Sequence, residues 1–182
     1  MSNVLDAAYF LIDVINRQEE GKASNLVINK LLYFAQGISL SRTGNPLFSN
    51  QIEAWENGPV IQKIYHKFKK YKDNAIPTQK YDEDSLSNGE QDILLEAVAT
   101  YGYDFWNLML LSHATGSPWY KNYKQCEKEI PISNEDIKEY FIKTTSPKFY
   151  DESKVIELET DELGRPILPE EVEKAWGEYY TQ

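Results

Sequence analysis

Apolar residues return every three or four positions in one window of this chain after another, and that period constrains the fold more than any other feature. Between residues 3 and 17, Val4, Leu5, Ala8, Leu11, Ile12 and Ile15 fall on one helical face. The segment "NLVINKLLYFAQGISLSRT" repeats the pattern with Val27, Ile28, Leu31, Leu32, Ala35 and Ile38. Ser24 or Asn25 can cap it, since a short side-chain oxygen there accepts from an otherwise unpaired backbone N–H. Gly44 and Pro46 stop it. "SNGE" at residues 87–90 is a capping-box pattern, opening a helix with Ile93, Leu94, Ala97, Val98 and Tyr101 that Gly102 ends. "DFWNLMLLSHAT" reads as a shorter apolar helix, and Ser117 and Pro118 as the cap and first turn of the next. Residues 133–136 start a further helix, with Ile137, Tyr140, Phe141 and Ile142 inward.

Between these helices the chain is punctuated. "LFSNQIEAW" is too short and irregular for a helix and predicts a short strand or hairpin. "NGPV" then turns the chain, and Pro59 suits the first position of a helix, where its missing N–H does no harm. That helix would turn Val60, Ile61, Ile64, Tyr65, Phe68 and Tyr71 inward. The same spacing gathers Lys63, Lys67 and Lys70 on a solvent-facing side, with Lys69 and Lys72 near the C-terminal end, where positive charge complements the helix dipole. Residues 73–87 are polar, contain Pro77 and predict a loop. After Pro147 the composition shifts: residues 151–182 hold ten acids against three bases. There "KVIELETDELGRPIL" predicts a hairpin with Gly164 near its turn, and "PEEVEKAWGEYY" a final short helix. The expected fold is mainly α (α+β), a compact bundle of about six to seven helices with one or two small β-hairpins. It divides into a helical domain over residues 1–147 and an acidic C-terminal extension over residues 148–182, packed on the same domain.

Several function classes are disfavoured. A net charge of −10, from 29 acids and 19 bases, argues against non-specific nucleic-acid binding. No Arg or Asn at helical spacing accompanies the lysines, which argues against direct DNA readout. No run approaches the roughly 18 apolar residues of a membrane span. The N-terminus lacks the basic start of a signal peptide, so the expected location is cytoplasmic. The single Cys126 allows no internal disulfide, and with two histidines it cannot build a standard Cys/His zinc site. No P-loop, dinucleotide fingerprint, nucleophile elbow or metalloprotease helix occurs, and no cofactor or metal is expected. His113 lies near Ser112 and Ser117, so a Ser/His pairing is conceivable, but capping accounts for both serines. Cys126 stands between Lys124 and Lys128, which lower a thiol pKa in principle. Neither makes a complete catalytic site, and no enzymatic activity is expected. The lysine face leaves three readings open: a solvated surface, contact with an acidic surface in a partner or in this chain's own tail, or phosphate binding.

Taken in order, "NKLLYFAQGISL", "GNPLF", "IEAWENGPVIQKIYHKFKKY", "LLSHATGSPW" and "ISNEDIKEYF" closely resemble the Panacea domain family, which includes phage-associated GepA-like proteins and SocA-like antitoxins. The resemblance runs from about Val4 to Lys143. It rests on "KLLYFAQ", "G.PLF" and "EAW..GPV" in this order and spacing. Its signature falls on Lys30, Leu31, Leu32, Tyr33, Gln36, Gly44, Pro46, Leu47 and Phe48. It continues through Glu53, Trp55, Gly58, Pro59, Val60, Tyr65 and Phe68 to His113, Pro118 and Trp119. Most are apolar or turn residues, which reads as fold maintenance. Two departures stand out: Asn29 where the family often has Gln, and "ATGS" where an acid commonly separates the His from the Pro-Trp pair.

The resemblance implies an antitoxin that neutralises a cognate toxin by direct protein–protein binding. A phage interaction protein directed at a host factor, a proteolytic adaptor for a toxin, and an enzyme using His113 are the alternatives. A protease or a second copy of the chain are further partners it allows. The expected contact residues are Tyr33, Trp55, Lys63, Tyr65, Lys67 and Lys70, and in the acidic extension Trp176, Tyr179 and Tyr180.

Overall fold

The computed structural model describes residues 2–145, apart from residues 20, 126 and 128. The acidic extension over 148–182, with its expected hairpin, its helix and Trp176, Tyr179 and Tyr180, lies outside the described residues, as does Cys126. Every α-helix except α3, which follows Ile61, starts where a side chain takes up a free backbone N–H. Helix α1 (Val4–Gln18) is capped by Asn3, whose Oδ1 accepts from Leu5 N at 3.1 Å. Ser24 caps α2 (Asn25–Thr43), which ends on Gly44 with φ +74°. A left-handed C-cap of this kind suits glycine because no Cβ crowds it. After α3 (Gln62–Phe68) and a 3-10 turn (Lys69–Tyr71), Ser87 and Glu90 form the capping box of α4 (Asn88–Tyr101). Asp104 caps α5 (Phe105–His113), and Ser117 with Pro118 opens α6 (Pro118–Asn122). Ser133 Oγ accepts from Asp136 N at 3.0 Å at the start of α7 (Asn134–Thr145).

Helix α2 is the hub. It packs against α1, α3, α4, α5, α7 and β2, and every residue from 27 to 40 is buried. A helix buried all round must satisfy its polar side chains internally, and α2 does so for its buried amides, though not for the Tyr33 hydroxyl. Gln36 uses its whole amide: Oε1 accepts from Leu47 N (2.9 Å) and Phe48 N (3.2 Å), while Nε2 donates to Phe48 O (3.2 Å) and Asn134 Oδ1 (3.1 Å). Asn29 Oδ1 accepts from Ile61 N at 2.8 Å, and its amide donates to Asn25 O at 2.9 Å. These bonds tie the loop after α2 and the entry to α3 onto the hub.

Strands β1 (Ile52–Trp55), β2 (Gly58–Val60) and β3 (Ile130–Ile132) make an antiparallel sheet in the order β2-β1-β3. Strand β1 falls in the segment expected to hold a strand or hairpin, but its partner β2 lies in the stretch expected to turn and open a helix, with Pro59 opposite Ala54. β2 is an edge strand, where a missing N–H costs no ladder bond. Strand β3 pairs Ile132 with Ile52 and was not foreseen. Two further expectations are corrected. Tyr33, expected at a contact surface, is 1% exposed, with its ring packed edge-on against Phe34 and Phe141 because α2 has no outer side. Ile142, expected inward, is 46% exposed. No helix among the described residues is long and apolar enough to cross a membrane.

Candidate functional site

The residues singled out in the sequence gather around the β1–β2 turn. Gly58, with φ +93°, sits against two basic side chains. A Cβ there would lie 2.6 Å from Lys30 Nζ and 2.9 Å from His113 Cε1. Lys30 projects from α2, fully buried, and its ammonium donates to the carbonyls of Asn57 and Pro59 on either side of that glycine. Desolvation by burial pulls its pKa down to about 7. His113, the last residue of α5, bonds through Nδ1 to Met109 O at 2.7 Å. Burial and the nearby Lys30 ammonium hold the imidazole down at about 4, against the opposing pull of the Met109 and Glu56 carbonyls.

Trp119 closes the cluster. Its ring lies 3.8 Å from that of His113, and its indole N–H donates to Trp55 O at 2.7 Å. Thus α6 is pinned to β1. Ser112 Oγ lies 3.2 Å from His113 Nδ1, but it is buried and donates to Met109 O at 3.0 Å. Ser117 Oγ, also buried, donates to Ser112 O and caps α6. The Ser/His proximity is therefore real, with both hydroxyls bonded to the backbone. Among the described residues, no group of three His, Cys, Asp or Glu side chains is placed to hold a metal ion.

On the outer side of the turn lies a different surface. The buried carboxylate of Glu53 accepts from Trp55 Nε1 at 2.8 Å and from Gln62 Nε2 at 3.0 Å. Trp55 and Tyr65 are half-buried and pack edge-on at 4.9 Å. Beside them a groove of about 430 Å³ runs between β1 and α3, lined by Asn50, Gln51, Glu53, Ile61, Gln62, Lys63 and His66. Lys63, Lys67, Lys69, Lys70 and Lys72 are all exposed.

The structure therefore sorts the expected site residues into two sets. Lys30, Leu31, Gln36, Glu53, Gly58, Pro59, Pro118 and Trp119 are buried, and His113 is largely so; Gly44 and Pro46 shape the turn that ends α2. Lys63, Lys67 and Lys70 stand in solvent, with Trp55 and Tyr65 at the boundary. Asn25, expected only as a possible cap, and Asn29, noted only as a departure, bond inside the hub, and the groove lined by Asn50, Gln51 and Gln62 was missed by the sequence reading. Asn25 and Asn29 had a usable signal: polar residues four apart within an otherwise apolar helix.

Residues 28–120 match the family described as Antitoxin SocA-like, Panacea domain. A curated relative, Antitoxin SocA of Caulobacter vibrioides (strain NA1000 / CB15N), is 35% identical over 108 residues, covering 53% of this chain and 57% of the relative. The matched region thus spans little more than half the length of that relative. No solved structure matches.

Proposed function

Because this chain belongs to the SocA-like, Panacea-domain antitoxin family, we propose that it neutralises a toxin protein by binding it directly, with no chemistry of its own. One observation carries this reading. The side chains that mark the family bond to other parts of the same chain: Lys30 to the β1–β2 turn, Gln36 to the loop after α2, Trp119 to β1. They build a frame, which leaves recognition to the exposed surface. Blocking a partner needs contact area, typically about 800 Å² per side, and a few well-packed anchors. His113, the residue best suited to catalysis, is here a largely buried side chain packed edge-on against Trp119 and bonded to Met109 O. The partner is expected to be encoded next to this chain.

The test is co-expression with the product of the neighbouring gene. The two proteins should co-purify, and this chain should relieve the growth arrest that the neighbour causes alone. A toxic neighbour that is neither bound nor relieved would count against the reading. So would a reproducible enzymatic activity that disappears in a folded His113→Ala variant.

A further inference from the structure

Resting on that reading, we infer that the lysine face of α3, with the groove beside it, seats an acidic segment of the toxin. The starting point is a charge pattern. Elsewhere among the described residues five cations pair with nearby acids, Arg17 with Asp13 at 2.7 Å, Lys22 with Glu19 at 3.5 Å, Lys124 with Glu127 at 3.6 Å, Lys143 with Glu139 at 3.9 Å, and Arg42 with Glu96, while Lys80, Lys121 and Lys138 stand singly and apart from one another in sequence. Among the described residues, none of Lys63, Lys67, Lys69, Lys70 and Lys72 has such a partner. Among the described residues the patch is thus a positive field without paired acids, on a molecule of net charge −10.

Local structure accounts for only part of it. Lys67, Lys69 and Lys70 stand at the C-terminal end of α3, where the helix dipole welcomes a cation, and Lys70 also rests over the Tyr71 ring at 4.9 Å. Lys63 has no such support. It lies in the first turn, where the dipole opposes positive charge and no acid compensates. It is also one helical turn from Lys67, a spacing at which like charges repel. Among the described residues Lys63 gains no such support, and it is placed to meet charge from outside.

The groove defines what that charge is carried on. Lys63 and His66 stand along it, Asn50, Gln51 and Gln62 line the rest, and the buried Ile61 and Glu53 lie at its floor. The Glu53 carboxylate holds the Gln62 amide in place. Primary amides both donate and accept, which suits a peptide main chain, and the lysines then receive its carboxylates. A nucleic acid fits less well. The aromatics at hand, Trp55 and Tyr65, are half-buried and packed edge-on against each other, which leaves less ring area for bases.

The experiment compares the full chain with a Lys63→Glu/Lys67→Glu/Lys70→Glu variant and a control carrying Lys121→Glu/Lys124→Glu/Lys143→Glu. Each is checked for an unchanged melting curve. Association with the product of the neighbouring gene is followed at low and high ionic strength, and binding of a labelled oligoglutamate and of an oligouridylate of equal charge is measured in parallel. Reversing the α3 lysines should slow association about tenfold or more at low ionic strength, with the gap closing at high. The control should change it less than about twofold. Oligoglutamate should bind saturably to the parent and not to the α3 variant. If the parent fails to bind the neighbouring product, the antitoxin reading falls, while the oligoglutamate arm still judges this surface. Equal effects from both triple variants, no effect from the α3 variant, or tighter binding of oligouridylate would overturn the inference.

Discussion

Lys30 is a cation placed where a cation is least stable, and this has a measurable consequence. Its folded pKa of about 7 lies below the ordinary 10.5, so between those values the unfolded chain holds a proton that the native chain lacks. Stability from this group therefore rises with pH across that window. His113 adds a rise of the same sign between about 4 and 6.5. Tyr101, raised by burial to about 12, opposes it above the ordinary tyrosine value of 10.0, where only the unfolded chain ionises. Replacing Lys30 by Met should flatten the slope above neutral pH. It should also cost about 1–3 kcal/mol at the alkaline end, where the parent amine is neutral and the Asn57 and Pro59 carbonyls would lose their donor. Urea titrations at a series of pH values would show both effects. Gly58→Ala attacks the same contact from the other side. It places a Cβ at φ +93° within 2.6 Å of Lys30 Nζ. The expected loss is about 2–4 kcal/mol, read as a drop in unfolding midpoint.

At the scale of elements, Gln36 joins α2, the loop carrying Leu47 and Phe48, and α7. Gln36→Leu removes four bonds while leaving two backbone N–H groups, a carbonyl and the Asn134 side chain to find new partners. A loss of about 2–4 kcal/mol is expected, with helical circular dichroism retained below the transition. Which elements could be foreseen follows from the reach of the bonds that define them. Helix caps span two or three residues, so Asn3, Ser24, Ser87, Asp104, Ser117 and Ser133 mark their helices locally. Strand β3 is three residues long, contains Pro131, and exists only because Ile52 lies opposite Ile132. No local pattern contains that pairing. Burial on α2 was half legible. Its apolar stripe predicted one buried face, but neighbours on all sides also enclosed Lys30, Tyr33 and Gln36. The hydroxyl of Tyr33 is left without a hydrogen-bond partner among the described residues. The lysine face was legible because exposure follows the helical period directly; the groove was not, because its walls come from β1 and α3 together.

For the whole molecule, frame and recognition surface should separate experimentally. Trp119 is buried, bonded to Trp55 O and packed on His113 and Tyr123. Trp119→Ala should cost about 3–5 kcal/mol, and neutralisation should fail only as the variant unfolds, recovering at lower temperature. Reversal of the α3 lysines should do the opposite, weakening neutralisation with the melting curve unchanged. Paired melting and growth-rescue assays over temperature would distinguish the two patterns. A Trp119 variant that melts like the parent yet fails to neutralise would make that residue a contact.

The enclosed hub also bears on how long the protein survives in a cell. A protease must thread an extended segment, and residues 27–40 are covered by six surrounding elements. Removing any one wall leaves the others in place, so cleavage within α2 requires the domain to come apart almost entirely. Where opening and reclosing are fast, the rate of such cleavage follows the population of the open form. Each loss of about 1.4 kcal/mol should then shorten the protein's half-life against cutting in α2 about tenfold.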